Sequence, residues 1–591
     1  MIREMLIDIA AGSLGWHFVQ GKNTKKKYSL ETLAQQYLGH QLDKGADGWR
    51  TRYAELDGVP LEEWPERARK YAQDDAIETL DVFFAQGGAS GEAHGYAIPD
   101  EIPQVRAAWA LHLMSVWGIR TDEARVQALA ADLRTEIGEI RTKLAKEGIF
   151  RPSGSKNMAI VEEMVRKAYE SRGLPVPMTP SGKKPSSSAE ALEESGDPVL
   201  VELGGLSGPS KVLSTYVPAI EQGTRVPINA RFNVLVETGR ASCGKPNLMN
   251  PPRKGGVRPC FFGRPGWVMA TNDYDMAELK SLAQICIWLF GHSEMGEALK
   301  LGRDLHLDFA SQILGITYEE AFARRKEPAI ALIRQLAKAP MFGLPGGLGA
   351  ETLIVFAWAN YGIRIPNGKR FLVVRDDEQG DDWEDGKRGR YVYEDKTEDG
   401  QFTAQGLKKM WLKRYSEMKQ YFAHINSLVG FESATVKQFV SGRYRGGVGY
   451  CDGANGFFQG LTADGAKAAL YVVSRECYTG EWLKEFDPTT GVMVFERRIA
   501  AGLDPAKGAW VFEKRAEPSP LYGSRPSVFM HDEIILESPE ANGDAPAWRL
   551  SQVMNFVMQR YIPDIPVTST PALMRRWHKG AEAVYLKGSL V

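Results

Sequence analysis

The stretch Gly266-Trp-Val-Met-Ala-Thr-Asn-Asp-Tyr-Asp-Met-Ala-Glu-Leu-Lys280 constrains this chain more than any other. Trp267 to Ala270 is a short apolar run after a Pro-Gly turn and reads as a buried strand. Leu279, Leu282, Ala283, Cys286 and Leu289 then recur at helical spacing. Asp273 therefore stands where a strand gives way to a helix, with Glu278 at the helix start. A carboxylate at a strand end can hold a hard cation when a second one arrives from elsewhere in the chain.

Ser527-Val-Phe-Met-His-Asp-Glu-Ile-Ile-Leu-Glu537 supplies it. Apolar residues on both sides of His531-Asp-Glu533 predict a tight strand pair with two acids at its tip. Acids between buried strands are costly unless a cation or solvent compensates them. Pro328 to Phe342 reads as a proline-started helix that places Arg334, Lys338 and Phe342 on one face. Like charges four apart are mildly destabilising, whereas two cations and an aromatic ring suit a nucleoside triphosphate. Pro340 should kink this helix or end its regular part early. Asp273 and Asp532 with a cationic helix thus meet the demands of two-metal phosphoryl transfer. Mg²⁺ needs only one or two protein carboxylates, since water and phosphate fill its other positions.

The bulk properties leave room for this reading. At 591 residues the chain exceeds one core and predicts two to four domains. With 43% hydrophobic and 25% charged residues, the composition is that of an ordinary globular protein. No apolar run approaches the ~18 residues of a membrane span. The acid-bearing N-terminus lacks a signal-peptide core, so a cytoplasmic location without membrane association is expected. Five scattered cysteines exclude a zinc ribbon or disulfide framework and suit a reducing compartment. A net charge of −1 does not exclude a nucleic-acid partner, because a local basic groove suffices.

Elsewhere the pattern is mostly helical. Long amphipathic helices are expected from Ile102 to Lys146. A single helix is expected through Trp411, Tyr415, Met418 and Phe422, and another is entered from Asn455 to Lys467. Tyr71 and Asp75 share one face of an earlier helix, which alone reads as a surface aspartate beside a core tyrosine. Gln86 to Gly95 looks like a linker. The basic loop Met178-Thr-Pro-Ser-Gly-Lys-Lys184 reads as a solvated loop or a phosphate-backbone contact. Arg231 to Arg253 is rich in residues that reach minor-groove acceptors and phosphates. The acidic cluster Asp376 to Asp385, between the strand-like runs Phe371-Leu-Val-Val and Tyr391-Val-Tyr, reads as a solvated loop.

Together these motifs resemble the family A DNA polymerases, the bacterial DNA polymerase I class, in a phage-like version. Asp273-Tyr-Asp-Met-Ala-Glu-Leu-Lys280 is similar to the family's motif A, Arg334-x-x-x-Lys338-x-x-x-Phe342-Gly to motif B, and His531-Asp-Glu533 to motif C. Thr238-Gly-Arg240, Pro246-Asn-Leu-Met-Asn250, Asp304-Leu-His306, Gln459-Gly-Leu-Thr-Ala-Asp464 and Thr179-Pro-Ser-Gly-Lys183 add to the resemblance, which runs from about residue 100 to the C-terminus. It implies an α+β multidomain right-hand fold with an antiparallel palm sheet and helical fingers and thumb. The implied divisions are a remnant of an RNase H-like 3′→5′ exonuclease domain (1–90), the thumb (91–225), the first part of the palm (226–290), the fingers (291–435) and the second part of the palm (436–591).

By the same resemblance, Asp273 and Asp532 would hold two Mg²⁺ ions, for which Mn²⁺ can substitute, with Glu533 in support. Arg334, Lys338, Phe342, His306, Glu278 and Tyr274 would meet the deoxynucleoside triphosphate. Lys338 would be the general acid for pyrophosphate, and Glu278 the steric gate against a 2′-hydroxyl. Phe342, where tyrosine is the alternative, implies discrimination against dideoxynucleotides. Arg240, Asn247, Asn250, Arg253, Gln459 and His531 would touch primer–template DNA. Tyr71 and Asp75 match the third exonuclease motif, but the family's other exonuclease acids would lie upstream of Met1. Proofreading is thus expected to be lost or supplied in trans by a separate polypeptide, and a processivity factor is a further expected partner. Departures from the family are Gly346-Gly347 in place of Tyr-Gly, Asp275, Met276 and Met249. The alternatives are a related single-subunit RNA polymerase, against which Glu278 weighs, and a catalytically silent DNA-binding replisome component.

Overall fold

The computed structural model describes the chain except residues 20–21, 43–47, 88–91, 94–95, 180, 253–254, 375–381, 385–386, 431–433, 497, 500–501, 505–508, 512–515, 578–584, 587–588 and 591. The acidic cluster of 376–385 and most of the linker-like 86–95 stretch fall largely outside the described residues, as does Arg253.

In chain order, the elements used below are helices α1 (Ile2–Ala11), α2 (Glu66–Ala85), α3 (Glu101–Trp117) and α4 (Glu123–Lys146), then strand β1 (Trp267–Tyr274). Helices α5 (Ala277–Phe290), α6 (Leu305–Leu314), α7 (Pro328–Gly343) and α8 (Ala350–Tyr361) follow. Next come α9 (Ala404–Arg414), α10 (Glu417–Val429) and α11 (Tyr450–Thr479), and the described chain closes with β2 (Arg525–Met530), β3 (Glu533–Pro539), α12 (Ala545–Tyr561) and β4 (Ser569–Met574), beyond which only short pieces follow. This mixed architecture is the expected α+β class.

The central sheet is antiparallel in the order β2-β3-β1-β4. Helices cover its apolar surface, so its strands read as nearly continuous apolar runs rather than as alternation. Val268, Met269, Ala270, Val528, Ile534, Ile535 and Leu536 are all fully buried. Helix α11, 30 residues and therefore about 45 Å long, runs beside the sheet and packs against α12, α3 and α5. Its Glu476 is buried and accepts two hydrogen bonds from Arg549 of α12, at 2.6 and 2.9 Å, plus one from Ser519 at 2.6 Å. Removing one partner of such a pair typically costs 3–5 kcal/mol.

Two helical expectations change. The helix expected through Trp411 and Phe422 is two helices, α9 and α10, broken at Tyr415–Ser416. Tyr415 leaves helical geometry because its buried hydroxyl donates to Asp308 at 3.1 Å, while the adjacent Arg414 reaches the same carboxylate at 2.9 Å. Pro340 does not end α7, which stays α-helical to Gly343 and then tightens into a 3₁₀ turn over Leu344–Gly346.

Helix α1 packs into the main body. Met5, Leu6, Ile7 and Ile9 of α1 belong to the same core as the sheet, while Leu33, Ala34 and Val82 form a small satellite core. On the polar side of α1, Lys26 bridges Glu4 and Asp8 at 2.5 and 2.9 Å. Tyr37 and Gln86 also donate to Glu4, at 2.7 and 2.6 Å. The helical segment around Leu144, Val161, Val165 and Leu200 has its own core. Among the described residues no helix is long and apolar enough to cross a membrane.

The Gly346-Gly347 departure has a packing cause. A Cβ on Gly346 would lie 2.4 Å from the Asn455 side chain. Gly347 has φ +82°, and its Cβ would meet the Tyr450 ring at 2.8 Å. The start of α11 and the 3₁₀ turn after α7 thus approach too closely for a tyrosine. Gly347→Ala should lose about 1–3 kcal/mol of stability from strained backbone and overlap. Denaturant unfolding measures this, and an unchanged midpoint at equal m-value would contradict the close approach.

Candidate active site

The site is built on the pairing of β1 with β3. Asp273, the penultimate residue of β1, lies opposite Glu533, the first of β3, and opposite Thr570 of β4 on its other side. Strands β2 and β3 join through His531 and Asp532 alone, with Met530 facing Glu533. His531 carries φ +58°, a conformation that non-glycine residues adopt rarely and at some cost. The turn therefore presents Asp532 beside Asp273. Both line one cleft with Asn250, Pro251, Arg258, His531 and Glu533. Burial, then the neighbouring Asp273 charge, push Asp532 up to about 7, with Arg240 opposing. Glu533 is anchored by a 2.8 Å hydrogen bond from Thr271.

This crowding of like charge is what a bound cation relieves. Among the described residues no group of three or more His, Cys, Asp or Glu side chains could hold a metal ion. Two carboxylates fit a hard cation that keeps water and takes substrate oxygens as its other ligands.

Around this pair the side chains are already engaged. Arg240 forms an ion pair with Glu278, near the start of α5, while the Asp532 charge opposes the burial that lowers its pKa. Asn247 accepts the Met249 N–H at 3.0 Å, and Met249 is buried in the core. Asn250 is exposed, and Gln459 on α11 reaches Asn455 at 3.5 Å. Burial lowers the pKa of His531, reinforced by the Arg240 charge. Asp275 is exposed, and its N–H donates to Thr568 at 3.0 Å. Burial drops the nearby Lys280 to about 8, with Asp275 opposing.

Tyr274, expected at the nucleotide, is placed otherwise. It is 5% exposed, and its hydroxyl donates to the Met554 carbonyl at 2.7 Å. Adjacent strand residues point to opposite faces, so Asp273 facing the cleft turns Tyr274 toward α12.

A second cluster joins α6 and α7. Arg334 pairs with Asp304 at 2.6 Å, and the His306 and Phe342 rings lie 5.1 Å apart. Burial drops His306 to about 4; Asp304 opposes this, while Arg334 and Lys338 reinforce it, so the ring is neutral at pH 7. Its Nδ1 has no hydrogen-bond partner among the described residues. Arg334, Lys338 and Phe342, which their spacing set on one face of α7, are thus brought together with His306 of α6.

Tyr71 and Asp75 lie half-buried on one face of α2, where Tyr71 packs on Tyr53 at 6.2 Å. Sequence reasoning did not find Asp304 as the partner of Arg334, nor Arg258, which borders the cleft and stacks on Trp577 at 5.0 Å. Asp304 carried a signal, since an aspartate just before a helical run is a favoured N-cap. It does cap α6 through the His306 N–H. Arg258 carried none.

Residues 124–355 match the model of DNA polymerase family A, a span that holds Asp273, Glu278, His306 and the α7 residues but not Asp532. The thermostable DNA polymerase I of Thermus thermophilus is 30% identical over 253 residues, covering 41% of this chain and 28% of that protein. That of Thermus aquaticus is 28% identical over 304 residues, covering 49% and 34%. The chain thus spans only about a third of these curated relatives. A solved structure described as the POL domain of Pol1 from M. smegmatis in complex with DNA primer-template and dNTP superposes with a TM-score of 0.60. It covers 97% of this chain and 81% of that one at 18% identity, a likeness of fold. By these matches the chain is similar to DNA polymerase family A over residues 124–355, and its fold resembles that of a DNA polymerase domain over most of its length.

Proposed function

We propose that the chain is a template-directed DNA polymerase that adds deoxynucleotides to a primer 3′-hydroxyl by two-metal-ion nucleotidyl transfer. The observation that carries this reading is the placement of Asp532 beside Asp273 by two strands far apart in the sequence. The M. smegmatis relative, described with primer-template and dNTP, supports the same substrates here.

Asp273 and Asp532 would hold two Mg²⁺ ions, or Mn²⁺ in their place, with Glu533 fixing the turn. When bound, such ions make the primer hydroxyl a nucleophile near neutral pH and neutralise charge on the phosphates. Arg334 would exchange Asp304 for a phosphate oxygen, a charge-assisted bond of similar strength. Lys338 would bind the triphosphate and donate a proton to the departing pyrophosphate oxygen. His306, neutral at pH 7, would donate a ring N–H to the same phosphates. Phe342, held against His306, would lie beside the sugar. Glu278 would exclude a 2′-hydroxyl. Arg240, Asn247, Asn250, Arg253, Gln459 and His531 would contact primer–template. The phage setting, the thumb, palm and fingers limits given above, and the absence of proofreading unless a separate polypeptide supplies it belong to the same proposal.

Asp532→Asn should extend a primed template with dNTPs and Mg²⁺ at least about 10³-fold more slowly than the parent, because charge stabilisation at the reacting phosphate is lost. Parental rates in that variant would sink the site assignment. For Glu278→Ala, incorporation of ribonucleotides relative to deoxynucleotides should rise about 10–200-fold, the range that one steric contact controls; an unchanged ratio would move the gate elsewhere. Incubated with 5′-labelled single strands and Mg²⁺ or Mn²⁺, the chain should leave them at full length. Shortening that Asp75→Ala abolishes would contradict the exonuclease part of the reading.

A further inference from the structure

A buried charge cluster lies under the turn that carries Arg240, and the reaction proposed above does not use it. Arg443 is 4% exposed. Its Nη1 lies between Asp464, at 2.7 Å, and Asp100, with which it makes a close ion pair. Asp100 and Asp464 are 1% and 4% exposed, and each has one carboxylate oxygen without a hydrogen-bond partner among the described residues. Lys467 completes the group by bonding Gln104 and, at 3.4 Å, the Val234 carbonyl. The four charges come from the N-cap of α3, the segment before Tyr444, and α11.

Stability alone does not explain such a cluster. Buried ion pairs repay their desolvation poorly, and apolar residues of similar volume serve as well or better. Position is the better explanation. Val236 to Arg240 is a tight turn closed by hydrogen bonds between Val236 and Arg240 at 2.9 Å and from Gly239 to Val236 at 2.8 Å. Gly239 has φ +86°, and a Cβ there would lie 2.0 Å from Nη2 and 2.7 Å from Cζ of Arg443. The guanidinium therefore fills the space a side chain would need, directly against the turn backbone. The next residue, Arg240, is the one that meets Glu278 and feels the Asp532 charge.

We propose that the Asp100–Arg443–Asp464 cluster is a positioning unit that fixes the Gly239 turn and so holds Arg240 between the sugar gate and the metal-binding carboxylates. The unit touches no substrate and acts only through Arg240. Two carboxylates fix the guanidinium plane, the plane fixes the turn, and the turn sets where Arg240 presents its donors to the primer end. This inference rests on the polymerase reading for its consequence in activity, but not for its geometry.

The test is a double-mutant cycle in primer extension with the full chain. Arg443→Lys keeps a cation between the carboxylates and removes the plane against Gly239; Gly239→Ala attacks the same contact from the other side and serves if the first variant does not fold. Each should lower kcat/KM for dNTP incorporation at least about tenfold in the parent and by less than about twofold in an Arg240→Ala background, since interacting residues are non-additive. Equal losses in both backgrounds would overturn the proposal, because a merely structural role does not depend on Arg240. A crystal structure of Arg443→Lys or Gly239→Ala gives a readout independent of activity. Arg240 displaced from Glu278 is expected, and Arg240 still paired with Glu278 would overturn the proposal even if the parent chain extends no primer.

Discussion

The pairing register of β3 on β1 is the constraint on which the rest of the structure depends. A slip of one residue would turn every side chain of β3 to the other face. Ile534 and Leu536 would exchange faces with Ile535 and Glu537, and Asp532 would no longer stand beside Asp273. Keeping Asp532 charged beside Asp273 costs on the order of a few kcal/mol. Each fully buried aliphatic side chain of the flanking strands contributes about 1.5–3 kcal/mol. Several such side chains outweigh the repulsion. The apolar strands thus hold two acids together that would otherwise separate, and a site for a cation results.

Cations near this site are occupied internally. Arg240 holds Glu278, and Arg334 holds Asp304. These partners keep long side chains ordered, and each pair is partly exposed, so its net worth is small. A nucleotide phosphate or a primer end can therefore replace the internal acid at little cost. The cluster around Arg443 behaves differently, since its charges are buried and make no such exchange. In the proposed reading, the deep charges fix backbone and the half-exposed ones above them are left to meet the substrate.

What was legible in the sequence followed local periodicity. The strand-to-helix change around Asp273, the His-Asp-Glu turn and the shared face of Arg334, Lys338 and Phe342 are all set by residues within a few positions of one another. Long-range contacts were not legible. Tyr274 looked like a site residue until the β1 alternation and Met554 turned it inward. The helix break at Tyr415 depends on Asp308, a residue 107 positions away. Pro340 sits near the end of α7, where few ladder bonds remain to be lost, so its local preference yielded to packing. The Arg443 cluster ties Arg443 to Asp100, 343 positions away, and no local spacing rule spans that distance.

Templated single-nucleotide incorporation by the unaltered full chain tests the central claim most directly. On a primed template whose next base is varied, the account expects one complementary deoxynucleotide to be added in each case, with Mg²⁺ present and not when it is chelated. Binding of the primed template without any addition, or addition that ignores the template base or the metal, would contradict it.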